Sequence, residues 1–157
     1  MKIIYTRKQE KIFVDDNDYE WLNKTTWYLD KDGYAVSSKR IGLRKEGKQI
    51  KYFMHRLILN PPKNYQSDHI NGVKLDNRRN NLRAATPSQN QHNSRLRKDN
   101  TSGYKGIVKH YERWQAVICI NKKDISLGVF NTKEEAAVAY NIGAKKYFGE
   151  FANINQL

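Results

Sequence analysis

The sequence of 157 residues has little cysteine and no long apolar segment. Its single cysteine, Cys119, excludes an internal disulfide and a cysteine-based zinc site. No segment approaches the ~18 apolar residues that a membrane-spanning helix needs, and the start, MKIIYTRKQEK, lacks the apolar stretch of a signal peptide. Apolar residues make up 38% of the chain, which predicts small cores. These absences favour a cytoplasmic protein without a membrane partner.

Positive charge, in contrast, is abundant and unevenly distributed. The formal net charge is +13. Residues 1–35 hold six Lys or Arg against seven Asp or Glu, whereas residues 36–157 hold 23 against nine. A basic excess confined to one part of a chain indicates a polyanionic partner for that part. An ordinary solvated basic face is the alternative.

The first third of the chain, residues 1–52, consists of short β-rich runs separated by turn signals. Asp32-Gly33 resembles a two-residue hairpin turn, and Glu46-Gly47 is a candidate for another. The stretch Asp15–Leu22 predicts a short helix that aspartate can cap. We therefore expect a small N-terminal antiparallel β unit, which carries no recognisable chemical signature.

Residues 53–97 have a different composition, rich in Asn, His and Arg. Thr86-Pro87-Ser88-Gln89 has the form of a capping box with proline at the first helical position. It predicts a helix from Pro87 to about Arg97. A strand, an Asn-rich loop, a returning strand and this helix would bring positions 68 and 90 together.

Three polar residues of this region suit phosphodiester hydrolysis, which needs an attacking water, a base and a cation at the scissile phosphate. His69 is a natural base near neutral pH. The adjacent Asp68 can supply a hard oxygen, and Asn90, about one turn into the predicted helix, can complete a two-residue metal site. Magnesium suits such a site because it prefers oxygen ligands and keeps several waters.

The segment SDHINGVKLDNRRNNLRAATPSQN closely resembles the HNH homing endonucleases of phages and introns, which have the ββα-metal fold. The resemblance implies that Asp68 and Asn90 bind one divalent cation and that His69 activates water. It also implies that Asn81, before Leu-Arg, braces the loop. Many members have His in place of Asp68 and of Asn90, so their replacement here favours magnesium or manganese over zinc or nickel.

The pair His55-Arg56 precedes an apolar run, as it does in related endonucleases. Through that resemblance, either side chain is a candidate for contact with a DNA phosphate. His55 is equally suited to packing the start of a short helix. The two interpretations stay open.

After a basic linker at residues 98–102, residues 103–157 predict three short strands and a helix. Alternation along Trp114–Ile120 places every second residue, beginning with Trp114, towards the helix. Thr132-Lys133-Glu134-Glu135 is a second capping box and opens a helix to about Phe148. The whole chain is thus predicted as α+β: an N-terminal β unit, a ββα-metal core, and a three-stranded antiparallel sheet packed on one helix.

The C-terminal region resembles the plant ethylene-response-factor DNA-binding domain. The pieces that carry the resemblance are Tyr104–Ile107, Trp114–Ala116, Leu127–Phe130 and Glu135–Tyr140. The resemblance implies that the sheet lies in the major groove of double-stranded DNA. The candidate DNA contacts are Lys105, Lys109, Arg113, Gln115, Lys122 and Lys123. Base preference does not carry over, because base-reading positions of the plant domains are here Val117, Cys119, Asp124 and Ser126.

These features together predict a metal-dependent endonuclease that hydrolyses duplex DNA, of the homing type. One recognisable catalytic site per chain suggests that a monomer nicks one strand, whereas a dimer could cut both. Two other hypotheses remain at this point: a non-catalytic DNA-binding regulator, and an RNA-binding protein that stacks bases on its tyrosines. The target sequence and the oligomeric state are not predicted.

Overall fold

The structure, a computed structural model, describes residues 1–41, 47–94, 96–97 and 99–157. It has the predicted α+β architecture, and the chain forms two compact units, Met1–Ser88 and Gln89–Leu157. Glu46 of the expected Glu46-Gly47 turn and Lys98 of the expected linker lie outside the described residues. The predicted domain boundaries stay predictions.

The first unit contains small antiparallel sheets, which in its described residues pair as β1-β2, β3-β4-β5 and β6-β7. The strands are β1 (Lys2–Tyr5), β2 (Lys11–Val14), β3 (Tyr28–Leu29), β4 (Ala35–Ile41), β5 (Lys48–Phe53), β6 (Gln66–His69) and β7 (Leu82–Ala85). The helices are α1 (Asp16–Leu22) and α2 (Met54–Leu59), and a 3-10 turn (Arg79–Asn81) precedes β7.

Two local expectations for the N-terminal residues need correction. The turn between β3 and β4 has three residues rather than two, because the backbone amide of Asp30 bonds to the carbonyl of Tyr34. Helix α1 does begin after Asp15, but that side chain makes no capping hydrogen bond. Its carboxylate instead accepts a 2.7 Å bond from the backbone amide of Arg79, far along the chain.

One apolar core joins the N-terminal strands to the region that follows them. Its buried members are Ile4, Ile12, Val14, Leu22, Trp27, Ala35, Met54, Ile58 and Leu82. Period-two alternation along β2 sends Ile12 and Val14 inward, and both are fully buried. Because Leu82 of β7 belongs to the same core, the hairpin β6-β7 packs against the N-terminal strands.

Helix α3 (Pro87–His92) follows β7 and is shorter than the predicted helix to Arg97. The carbonyls just after its last residue accept hydrogen bonds from a side chain of the second unit. The Asn153 amide donates to the carbonyls of Asn93 and Ser94 at 3.0 and 3.1 Å. Arg95 lies outside the described residues.

The second unit contains a three-stranded antiparallel sheet of order β10-β9-β8 and one long helix, as predicted. Its elements are β8 (Ile107–His110), β9 (Arg113–Ile120), β10 (Lys123–Phe130) and α4 (Lys133–Phe148). The capping box at the start of α4 is present, with Thr132 and Glu135 bonding each other's backbone amides. Gly149 occupies the C-terminal cap position with a φ of 54°.

Small residues of α4 allow it to lie close against the sheet. The buried core of this unit is Ile107, Ala116, Ile118, Ala136, Ala137, Tyr140 and Ala144. Ala116 and Ile118 point to the helix, and Trp114 and Ile120 pack against the same core. The alternation predicted along β9 is therefore confirmed, and the opposite sheet face is left outward.

The described helices are short. The longest of them, α4, has 16 residues. None of the helices in this part of the chain has both the length and the apolar character required to span a bilayer.

Candidate active site

His69 is the last residue of β6 and is 5% exposed. Its Nε2 lies 3.2 Å from the Oδ1 of Asn77. Burial lowers the pKa of His69, while the hydrogen bond to Asn77 and the charge of Asp68 act in the opposite direction. A ring that is neutral near pH 7 can accept a proton from water, which is the property required of a general base.

Asp68 precedes His69 on the same strand and is paired across the hairpin with Arg83 of β7. The Nε of Arg83 donates a 2.9 Å hydrogen bond to Oδ2 of Asp68, and both side chains are largely buried. An ionised carboxylate offers about four lone-pair sites on its two oxygens. The pairing with Arg83 therefore orients the Asp68 carboxylate.

Asn90 lies in α3, within the second unit, and is partly buried. No group of three or more His, Cys, Asp or Glu among residues 1–41, 47–94, 96–97 and 99–157 could hold a metal ion. The predicted pair consists of one carboxylate and one amide, and both supply the hard oxygen donors that magnesium and manganese prefer. Its donor chemistry fits such a cation, and the ligand set stays a prediction.

Asn81 ties together the two ends of the loop between β6 and β7. Its side-chain oxygen accepts a 3.0 Å bond from the amide of Asn71, and its Nδ2 donates a 2.8 Å bond to the carbonyl of Asp76. Its own carbonyl accepts a 2.9 Å bond from the amide of Ile70. With 6% exposure, this side chain can hold the loop that follows His69 in one conformation.

Three further loop residues support this site but were not singled out from the sequence. Asp76 is 4% exposed and receives two 2.7 Å bonds from Arg78. The Arg78 guanidinium is the main cause that holds the pKa of Asp76 below its usual value. Asn77 follows Asp76 in the loop and contacts His69. The run Asp76-Asn77-Arg78 belongs to the HNH-like segment, but only the fold reveals its partners.

His55 lies in the first turn of α2 and is 6% exposed. Its ring centroid lies 5.1 Å from that of His69, 5.0 Å from Tyr34 and 5.6 Å from Phe53. Burial, followed by the charges of His69 and Arg56, lowers the pKa of His55 to about 3. Its Nδ1 has no hydrogen-bond partner among the described residues.

The surroundings of His55 thus agree with a packing role at the start of α2. The neighbouring Arg56 is exposed on the same helix. Phosphate contact by either residue stays a prediction. The first unit therefore brings His55 and His69 together, with Asp68 and Asn81 at the same hairpin.

Two of the predicted DNA contacts, Arg113 and Gln115, lie on the outward face of the C-terminal sheet, because they alternate with Trp114 and Ala116. Lys109 is paired with Trp114 and shares its face, and its Nζ lies 5.0 Å from the ring centroid of Trp114. Gln115 donates a 2.9 Å bond to the hydroxyl of Ser126 on β10, which orients its amide. Arg113 donates a 3.2 Å bond to a carbonyl of β10. Exposed positions at the β9-β10 turn are Lys122 and Lys123.

Lys105 has a different environment from the other predicted contacts. Its Nζ donates hydrogen bonds of 2.6 and 2.8 Å to the carbonyls of His92 and Ser94. Burial lowers the pKa of Lys105 to about 8. The ammonium therefore binds the carbonyls at the end of α3, and its contact with DNA stays a prediction.

The end of α3 is also held by an aromatic stack. The ring of His92 lies 3.7 Å from that of Phe148, and the two planes differ by 13°. Together with the lysine and the Asn153 amide, this contact makes the last turn of α3 part of the second unit.

Known proteins are similar to this chain both in the region of the β6-β7 hairpin and in the C-terminal region. A family model described as HNH endonuclease matches residues 60–92. An uncharacterized HNH endonuclease of Acanthamoeba polyphaga mimivirus is 36% identical over 148 residues, which cover 92% of this chain and 74% of that protein. Protein 3.8 of Escherichia phage T7 is 34% identical over 93 residues, covering 58% of this chain and 76% of its own.

The C-terminal region is similar to plant transcription factors. One AP2-like ethylene-responsive transcription factor of Arabidopsis thaliana is 48% identical over 52 residues, which cover 31% of this chain and 9% of that protein. Another, from Oryza sativa subsp. japonica, is 46% identical over the same length, which is 8% of its own chain. The likeness is therefore confined to one domain of much longer proteins.

Proposed function

Because this chain belongs to the HNH endonuclease family, we propose that it hydrolyses phosphodiester bonds of duplex DNA with His69 as the general base. The observation that carries the proposal is the environment of this imidazole. It is buried and held at Nε2 by Asn77. It also follows directly on a carboxylate in the hairpin that the family model matches. Family membership makes the chain a DNA endonuclease, which favours this function over a non-catalytic regulator or an RNA-binding protein.

The second part of the proposal is one divalent cation, magnesium or manganese, on Asp68 and Asn90. The support is the oxygen chemistry of the two side chains, which suits a hard cation that retains waters. When bound, the cation would stabilise charge on the scissile phosphate and on the leaving oxygen. The convergence of the two ligands is part of the proposal.

The protein's own residues have separate tasks in this scheme. His69 takes a proton from the attacking water. Arg83 holds the Asp68 carboxylate in one orientation through its 2.9 Å hydrogen bond. Asn81 holds the loop after His69 in one conformation, because its side-chain oxygen and nitrogen both form hydrogen bonds with the loop backbone. These contacts preorganise the hairpin, so that little rearrangement is needed when DNA binds.

We assign the grip on duplex DNA to the outward face of the C-terminal sheet. The proposed contacts are Arg113 and Gln115 on that face, together with the exposed Lys109, Lys122 and Lys123. The support is the position of Arg113 and Gln115 on the sheet face away from α4, the exposure of the three lysines, and the likeness of this region to plant transcription factors. The lysines would bind phosphates, and the oriented amide of Gln115 is suited to a base edge.

Because the described part of the chain holds one proposed catalytic hairpin, we also propose that a monomer nicks one strand, as part of a homing function. Digestion of supercoiled plasmid at low protein concentration distinguishes nicking by a monomer from double-strand cutting by paired sites, because nicked and linear DNA migrate differently on a gel. Nicked circles in one defined strand are expected. Linear product without a nicked intermediate would point to paired sites acting together.

The central test compares cleavage of plasmid DNA by the wild type and by His69→Ala. Magnesium, manganese and a chelator are the three metal conditions. Loss of the base should lower the cleavage rate by roughly 10²–10⁴-fold while leaving DNA affinity almost unchanged. Glu20→Ala, at an exposed position of α1, is the control and should cleave normally. Equal rates for the two variants would exclude His69 as the base.

A further inference from the structure

Asn77 is the residue in the loop whose contacts are hardest to explain by stability alone. It is fully buried, and its Oδ1 faces the Nε2 of His69 at 3.2 Å. Its Nδ2 has no hydrogen-bond partner among the described residues. A buried amide that leaves its two donors unused normally destabilises a protein. We therefore look for the role of Asn77 in its Oδ1, which faces the ring of His69.

The contact bears on which ring nitrogen of His69 carries the hydrogen. An amide oxygen can only accept, so a hydrogen bond between these two atoms requires the hydrogen on Nε2. In the neutral ring, Nδ1 then carries a lone pair and no hydrogen. Under the function proposed above, on which this inference rests, Nδ1 is the atom that takes the proton from water.

The backbone of Asn77 is held by the N-terminal hairpin. Its amide donates a 2.8 Å bond to the carbonyl of Phe13, and the amide of Phe13 donates a 2.8 Å bond to the carbonyl of Leu75. Phe13 and Asp76 thus form a parallel β-bridge. The neighbours of Phe13 in β2 are buried in the core, so the loop is attached to a fixed strand.

A second attachment follows two residues later. The backbone amide of Arg79 donates to the carboxylate of Asp15, and its guanidinium donates two 2.7 Å bonds to Asp18 in α1. Asp18 is 2% exposed. The loop from Leu75 to Arg79 is therefore held on both sides of Asn77 by β2, Asp15 and α1.

We propose that Asn77 is the positioning residue that fixes the tautomer of His69, and that β2 and α1 form the clamp that sets the position of Asn77. This assigns a task to the N-terminal residues, whose sequence shows no chemical signature. A purely structural asparagine would affect folding but would not select one protonated nitrogen on a histidine.

The test is a ¹⁵N NMR measurement of the histidine rings in the full-length, metal-free chain at about pH 8, where neutral rings predominate. Long-range ¹H–¹⁵N correlations distinguish an Nε2–H ring from an Nδ1–H ring. His69→Ala identifies the signals of His69 by their absence from its spectrum. The wild type should show the Nε2–H form of His69.

Three variants separate positioning from folding. Asn77→Leu removes the acceptor and should reduce the Nε2–H preference, whereas Asn77→Asp keeps an acceptor and should restore it. Asn17→Ala, at an exposed position of α1, should leave the tautomer unchanged. Melting curves of all variants show whether the fold persists, and Asn77→Ser replaces Asn77→Leu if the latter does not fold.

The cleavage rate gives the second readout. Asn77→Leu should lower kcat by about 10–100-fold, the usual cost of losing an orienting partner, with little change in KM for DNA. An Nδ1–H ring in the wild type, or an unchanged ring in folded Asn77→Leu, would overturn the proposal. If the tautomer behaves as stated but His69→Ala still cleaves, the proposed base fails while the positioning contact stands.

Discussion

Arg79 donates one hydrogen bond to each carboxylate oxygen of Asp18, a residue 61 positions earlier in the chain. The carboxylate is buried, whereas the arginine side chain is 57% exposed. The pair therefore connects a helix of the N-terminal segment with the loop that precedes β7. Through it, an N-terminal helix far from the nuclease motif in sequence becomes part of its support.

Removal of this arginine should destabilise the first unit. Arg79→Leu leaves the Asp18 carboxylate buried without its cation, and we expect a decrease of about 2 kcal/mol in the free energy of unfolding, reduced from the fully buried case because the arginine is exposed. Glu20→Gln is the matched control, since its ion pair with Lys2 is on the surface of the same unit. Urea denaturation measures both variants, and equal midpoints would contradict the clamp.

Acid should destabilise the protein through His55. Its folded pKa is about 3, against about 6.5 in an unfolded chain, so between these values the unfolded state binds a proton that the folded state excludes. The stability is complete above pH ~6.5 and falls as the pH drops towards 3, by about 2 kcal/mol between pH 7 and 5.

The variant His55→Phe isolates this contribution, because phenylalanine fits among Tyr34 and Phe53 and does not titrate. The free energy of unfolding of this variant should depend less on pH than that of the wild type over the same interval. Urea midpoints at several pH values provide the comparison. Parallel curves for the two proteins would show that His55 does not titrate as stated.

A glycine in the second unit provides a steric test of its core. Gly106 has a φ of +72°, and a Cβ added there would lie 2.1 Å from the ring of Tyr140 and 2.6 Å from the carbonyl of Val117. Gly106→Ala should therefore cost about 2–4 kcal/mol. Gly103→Ala has similar backbone strain but open space, and should cost about 1 kcal/mol. Thermal melting distinguishes the two.

The salt dependence of DNA binding tests the proposed grip. Lys122→Gln with Lys123→Gln removes two cations from the β9-β10 turn. The slope of log affinity against log salt should become shallower by about 0.9 for each phosphate that the variant no longer neutralises. The same change at Lys145 and Lys146, on α4, is the control. An unchanged slope in the first variant, or an equal decrease in both, would move the DNA-binding surface away from the sheet.

The sequence predicted correctly those elements that are determined by residues close together in the chain. The capping box at Thr132–Glu135 acts within one helical turn, and the alternation along Trp114–Ile120 acts within one strand. Both therefore appear in the structure as predicted. The predicted end of α3 was wrong for the opposite reason. Carbonyls just beyond the helix bond to Asn153, and such a distant partner leaves no periodic trace near residue 92.

The same reasoning explains which residues around the site could not be found from the sequence. The sequence predicts roles for His69 and Asp68 because an imidazole and a carboxylate stand next to each other in the HNH-like segment. Asn77 could not, since its significance depends on Phe13, which the fold brings beside it. A lysine in a basic region suggests a phosphate contact, but the burial of Lys105 against backbone carbonyls depends on the packing of α3.

The capped end of α3 bears on how such nucleases could exchange their DNA-binding parts. A graft that joined a foreign domain after residue 97 would discard the Lys105 amine, the Phe148 ring and the Asn153 amide at once. The carbonyls at the end of α3 would then be left without their donors. A crossover upstream of Gln89 would instead transfer the helix end together with its partners, so new target specificities should be easier to acquire at that junction.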